Sequence, residues 1–148
     1  FRYCQEEEIT FTRSRPYRKN DSCFVEQKNY SIVRRAVGYL RYDSEEELFT
    51  LNELYRRLRL YTNFFQPTMK LIEKTRIGSK VIKKYDKPLT PYRRVLACPD
   101  ATEEDKRALR KLYTKLNPAQ LKRQITRLQQ RLYTLNTQKQ LPKKKVAA

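Results

Sequence analysis

Thirty-four lysines and arginines against sixteen acids give this 148-residue chain a formal charge of +18. Self-repulsion of that size works against any compact fold unless a polyanion relieves it. Nucleic acid is therefore the leading partner class, with an anionic membrane surface second. A membrane span needs about 18 consecutive apolar residues. No run here reaches that length, so no membrane span is expected, and nucleic acid rather than a membrane is taken as the partner. Only two glycines are present and apolar residues make up 39%, a composition that favours helix.

Histidine is absent, which excludes Ser-His-Asp and Cys-His catalysis within the chain. Cys4, Cys23 and Cys98 have no CxxC spacing. A zinc site wants about four Cys or His ligands, so the thiols read as free and buried in a reducing cytosol. The glycines stand alone at 38 and 78, too few for a phosphate-cradling loop. What remains is carboxylate chemistry.

Residues 7–13, EEITFTR, alternate Ile9 and Phe11 with Thr10 and Thr12, the pattern of a half-buried strand. Pro16 and the Asn20-Asp21-Ser22 cluster mark a loop. Asp21 or Ser22 can then cap a helix that Gly38 ends. At about 100° per residue, Val25, Ile32, Val33 and Ala36 gather with Asn29 into one apolar arc. Gln27, Lys28, Ser31, Arg34 and Arg35 fall opposite, and Glu26 lies at the edge of the arc beside Tyr30.

Ser44 and Glu47 form a capping-box pattern. It opens a helix with Leu48, Leu51, Tyr55, Leu58, Thr62 and Phe65 as its inward seam, ended by Pro67. β-branched residues around Gly78-Ser79 predict a short hairpin between residues 70 and 85. KPLTPYRRVLACPD (residues 87–100) reads as extended and turning. Thr102 and Asp105 open another helix with Leu109, Leu112 and Leu116 inward, and Asn117-Pro118 starts a third. That last helix carries Leu121, Ile125, Leu128, Leu132 and Leu135 in a coiled-coil-like stripe. Tyr55 and Tyr113, at helical spacing, are expected in the core.

Glu26 is the candidate for chemistry. A carboxylate beside an apolar helix face in cationic surroundings suits a divalent metal. Two-metal phosphoryl-transfer sites use about three such acids to hold ions roughly 3.5–4 Å apart. A glutamate in a helix's first turn is, however, ordinarily a surface residue favoured by the helix dipole. Position alone leaves both roles open.

The stretch ITFTRSRPYRKNDSCFVEQKN (residues 9–29) resembles the segment around the third acidic residue of DDE transposases and integrases of the retroviral-integrase superfamily. In bacterial insertion-sequence members a strand gives way to a loop bearing Ser-Arg and then Asp, followed by a helix with the catalytic Glu. Ser14-Arg15, Asn20-Asp21 and Val25-Glu26 stand here in that order. NFFQP (residues 63–67) and KPLTPYRRVL (residues 87–96) are similar to that family's Tyr-Asn-x-x-Arg-Pro and Thr-Pro segments, with Phe64 and Gln66 departing from the pattern.

The resemblance covers roughly residues 1–97 and implies an α/β, mainly helical fragment. It would be the C-terminal part of an RNase H-like integrase core, followed by a short β-hairpin and a helical tail. The expected organisation is the end of the core over 1–42, a helix with basic hairpin and extended segment over 43–100, and then, on the helix signals alone, a helical hairpin over 101–136 and a disordered basic tail over 137–148. Glu26 becomes the third metal-binding carboxylate, with Mg2+ or Mn2+ as the ion. The two catalytic aspartates belong N-terminal to everything in this chain, which also begins without an initiator methionine. The intact parent is then expected to cleave and join DNA in the cytosol or nucleoid, and this chain to be inactive alone.

Arg15, Arg18, Lys19, Lys28 and Arg34 are the expected phosphate contacts near that site, and Lys74, Arg76, Lys80, Lys83 and Lys84 a second DNA surface. For any one of them a solvated basic face is the competing reading. Homo-oligomerisation is a further expectation. The alternative to a recombinase is a non-catalytic basic nucleic-acid-binding helical module. A helical interaction domain whose charge serves only solubility is a third.

Overall fold

The computed structural model describes residues 2–11 and 13–140, apart from the side chains of Lys19, Phe24 and Gln140. The fold parts after Leu40 into two compact units.

The first unit begins with helix α1, Arg2–Glu6. Residues 7–11 do not form the expected strand. The Glu7 and Ile9 amides instead donate to the Tyr3 and Cys4 carbonyls at 3.0 and 2.7 Å. A lone strand would leave its backbone groups unpaired, whereas a helical turn satisfies them locally. Thr12 lies outside the described residues. A 3-10 turn over Lys19–Ser22 leads into α2, Cys23–Lys28. The helix then widens into a π-helical stretch, Asn29–Arg34, and closes as α3, Arg35–Val37. Gly38 ends it at φ +67°, a conformation that suits glycine.

In the π stretch the bonds run i→i+5, so a 100° wheel no longer holds. Val25, Asn29, Ile32 and Val33 still share one shallow groove, joined by Lys28, which the wheel placed opposite. None of the described residues of this unit is buried.

The second unit is built on α4, Glu45–Phe65, and α7, Pro118–Gln140, packed against each other. The capping box at Ser44 forms as expected, with the Glu47 amide donating to Ser44 Oγ at 3.2 Å. The buried face of α4 is offset by one residue from the expected seam. Glu47, Thr50, Leu54 and Phe64 are buried, while Leu48 is 61% exposed. From α7, Leu121, Ile125, Leu132 and Asn136 are buried, so the leucine stripe serves intramolecular packing.

Between these helices the expected hairpin forms from β1, Leu71–Ile77, and β2, Lys80–Tyr85, turning at Gly78 with φ +61°. This antiparallel pair is the only sheet among the described residues. Residues 91–96 are not extended. Thr90 caps and Pro91 opens a short helix α5, Pro91–Leu96, with the Arg93 amide donating to Thr90 Oγ1 at 3.2 Å. Thr-Pro thus acts as Asn117-Pro118 does, since proline has no amide to lose at a first helical position. Helix α6, Glu103–Tyr113, begins at Thr102 as expected. Helix α7 runs on to Gln140, so residues 137–140 are helical rather than part of a tail. Residues 141–148 lie outside the described residues.

Candidate nucleic-acid and metal site

Glu26 stands in the first turn of α2 with its residue exposed. The loop before it is fastened by a two-pronged ion pair. Arg15 Nε donates to Asp21 Oδ2 at 2.9 Å, a guanidinium Nη donates to Oδ1 at 3.0 Å, and the Arg15 amide adds a bond to Oδ2 at 3.1 Å. Such planar pairing fixes orientation as well as charge. The bonds from Arg15 hold the Asp21 carboxyl below the usual carboxylate range, and Asp21 in turn raises the guanidinium.

Asp21 therefore spends both oxygens on Arg15. Among the described residues no group of three His, Cys, Asp or Glu side chains could hold a metal ion. Glu26 offers one hard oxygen donor, of the type suited to Mg2+ or Mn2+.

The expected phosphate contacts divide. Arg15 is committed to Asp21, although its side chain remains 72% exposed. Arg34 stacks on the Tyr39 ring at 4.7 Å and donates to the Gly38 carbonyl at 3.4 Å, so it serves the helix C-terminus. Arg18 is exposed on the loop, Lys28 lines the apolar groove, and the Lys19 side chain lies outside the described residues.

On the hairpin all of the expected cations are exposed. The pairing sets Lys74 opposite Lys83, Arg76 opposite Val81, and Lys84 opposite Glu73. Side chains alternate between faces along a strand. One face thus carries Lys74, Arg76 and Lys83 with no carboxylate, whereas Lys80 and Lys84 share the other with Glu73. Like charges directly across a strand pair are destabilising. Lys74 and Lys83 oppose each other at a cost to the hairpin's stability.

The root of the hairpin is held firmly. The Lys70 amide donates to Asp86 Oδ1 at 2.6 Å, and Arg94 reaches Asp86 Oδ2 and the Thr68 carbonyl, each at 2.6 Å. The Arg94 side-chain bonds, followed by the Lys70 amide, hold the Asp86 carboxyl below its usual range. Sequence reasoning missed this clamp because its members are 16 and 26 residues apart.

It also missed what becomes of the aromatics. Tyr113 is 38% exposed rather than core. Its ring stacks on Tyr92 at 4.8 Å and meets Phe65 at 5.6 Å. The cysteines are free, but none is buried. Among the described residues, no helix is long and apolar enough to cross a membrane.

An uncharacterized protein of Sinorhizobium fredii (strain NBRC 101917 / NGR234), y4rM, is similar to this chain. The two are 52% identical over 92 residues, which is 62% of this chain and 26% of that protein. The chain thus spans about a quarter of its relative's length. No family model matches, and no solved structure does.

Proposed function

We propose that this chain is the DNA-handling C-terminal portion of a DDE-type transposase or integrase, with Glu26 as its third metal-binding carboxylate. The observation that carries the proposal is the Arg15–Asp21 pair. These two residues belong to the pattern that resembles the recombinase segment, and they bond to each other immediately ahead of the glutamate helix. A loop closed in this way fixes where α2 begins, and hence where the Glu26 carboxylate is presented. The exposed Val25, at 72%, and the unburied groove beside it suit a helix that completes its packing against an RNase H-like core.

In this role Glu26 supplies one ligand, and two aspartates outside these 148 residues supply the others. When bound, two such ions activate an attacking oxygen and stabilise a leaving one. The chain's own residues position the DNA. Arg18 and Lys28 offer phosphate contacts near Glu26, and Lys74, Arg76 and Lys83 offer a carboxylate-free face on the hairpin. That face equally suits a non-catalytic nucleic-acid-binding module.

Strand transfer by the full-length protein separates the two. Glu26→Gln abolishes Mg2+-dependent joining of DNA ends while leaving DNA affinity within about twofold, since one exposed side chain changes. Undiminished joining in that variant ends the catalytic proposal and leaves the binding module.

A further inference from the structure

Where the hairpin leaves the helical body, Thr68 and Leu89 pair through two backbone bonds of 2.9 and 3.2 Å. A cavity of about 300 Å³ lies at this root. Phe65, Tyr113, Pro67, Pro88 and Arg93 are among its walls. The size is at the small end for ligand pockets, enough for a single planar heterocycle. Its aromatic wall is built in advance. Tyr113 stacks on Tyr92 with 15° between the planes, and Tyr92 meets the buried Phe64 ring at 5.1 Å. A half-exposed tyrosine held from behind offers a rigid face, so little side-chain freedom is lost when a ring docks on it.

The charge around the cavity narrows the class of ligand. Arg93 in the wall is exposed, and Lys87 immediately precedes Pro88. Among the described residues, no acid lines the cavity. The hairpin that rises from it carries Lys74, Arg76 and Lys83 on one face. Lys74 lies six residues beyond Thr68, about 20 Å along an extended strand, a span of a few nucleotides. Stacking faces beside a cationic track are what single-stranded nucleic acid requires. A base within a duplex has both faces covered by its neighbours and reaches such a cavity only when extruded.

We infer that the cavity binds one unpaired nucleobase of a DNA strand whose phosphates run along the basic face of the hairpin. Tyr113 and Phe65 stack on the base, and Arg93 holds its edge or the adjoining phosphate. This rests on the nucleic-acid part of the proposed function and adds a preference for unpaired DNA.

The test uses the full chain and a single-stranded oligonucleotide containing 2-aminopurine, alongside the same sequence as a duplex. Stacking quenches the probe's fluorescence, and the single strand is expected to bind about tenfold or more tighter than the duplex. Tyr113→Leu and Arg93→Ala each weaken single-strand binding about tenfold or more, in the range found for loss of one stacked base. Duplex affinity stays within about twofold, and Tyr113→Phe retains both quenching and affinity. Arg93 is exposed, so its variant decides the matter even if Tyr113→Leu fails to fold. Equal losses on single strand and duplex, or no quenching, overturn the inference while leaving DNA binding intact. Failure to bind either DNA at low salt overturns the nucleic-acid reading as well. Binding of a proline-rich peptide through Tyr113, with no oligonucleotide response, overturns it in favour of a protein partner.

Discussion

Replacing Glu47 by glutamine is expected to cost the second unit about 2 kcal/mol, in the range for lost hydrogen bonds to a charged group, because Lys139 is 36% exposed and keeps Asp43 as a partner at 2.6 Å. Glu47 is fully buried at the start of α4. Its Oε2 accepts from the Asp43 and Ser44 amides at 2.9 and 3.0 Å and from Ser44 Oγ at 3.0 Å. Lys139 Nζ, from the far end of α7, donates to Oε1 and Oε2 at 3.1 and 3.0 Å. Burial pushes the carboxyl up, but the Ser44 amide, the ammonium and the remaining donors outweigh it and bring it down to about 2. Glutamine of the same shape keeps one acceptor and turns an NH2 donor toward the ammonium. Ser44→Ala removes the cap, at about 1 kcal/mol, and with it the hydroxyl donor to the buried carboxylate, at about 1 kcal/mol more.

For a unit of this size, about 2 kcal/mol corresponds to about 8–15 °C in Tm. Circular dichroism melts at neutral pH measure it. The pH dependence supplies a second check. Because the folded carboxyl lies below its unfolded value of 4.5, its contribution is fully present above pH 4.5 and is lost as pH falls toward 2. Wild type thus loses this stability over that window, and Glu47→Gln lacks that part of the pH dependence. A Tm within about 3 °C of wild type, with an unchanged acid profile, refutes the assignment of Glu47 as the pin between α4 and α7.

Two further predictions concern the loop before Glu26 and the proposed DNA contacts of the hairpin. Asp21→Asn weakens the bond that closes the loop before Glu26, and it is expected to lower strand transfer by the full-length protein about tenfold or more, as displaced catalytic groups do. DNA affinity at low salt does not fall, because the variant removes a negative charge, and filter binding measures it. Lys74→Ala with Lys83→Ala reduces the salt slope of DNA binding by about 2, at about 0.9 for each phosphate that is no longer neutralised. The same pair raises the free chain's Tm, because the opposed charges are gone. A fall in both affinity and Tm would show the lysines to be structural.

What could be read in the sequence was mainly local. Ser44, Thr102 and Asn117-Pro118 start helices because a cap needs only the next three residues, and Gly78 turns the hairpin through its own positive φ. The inward face of α4 differs by one residue from the one its apolar side chains predict. Leu48 is apolar and Glu47 is charged, and burial of Glu47 is made tolerable by the Asp43 and Ser44 donors beside it together with Lys139, 92 residues away. Residues 7–11 alternate like a strand, yet backbone bonds to α1 were available and a partner strand within the described residues was not. Helical spacing points Tyr113 toward the core. Its ring meets Phe65 of α4 and lines one cavity with Pro67 and Pro88, an arrangement that no local pattern encodes. Of the residues in the pattern ahead of Glu26, Arg15 and Asp21 bond to each other.

The central claim is that Glu26 holds a catalytic metal ion, and a change of metal preference tests it most directly. In Glu26→Cys a soft thiolate replaces a hard carboxylate oxygen, which disfavours Mg2+ more than Mn2+. Strand transfer by the full-length protein is measured for wild type and variant in each metal. The expected result is a wild type active with both ions, and a variant inactive in Mg2+ that regains measurable transfer in Mn2+. A variant as active as wild type in Mg2+, or one whose residual activity is the same with both metals, contradicts the claim.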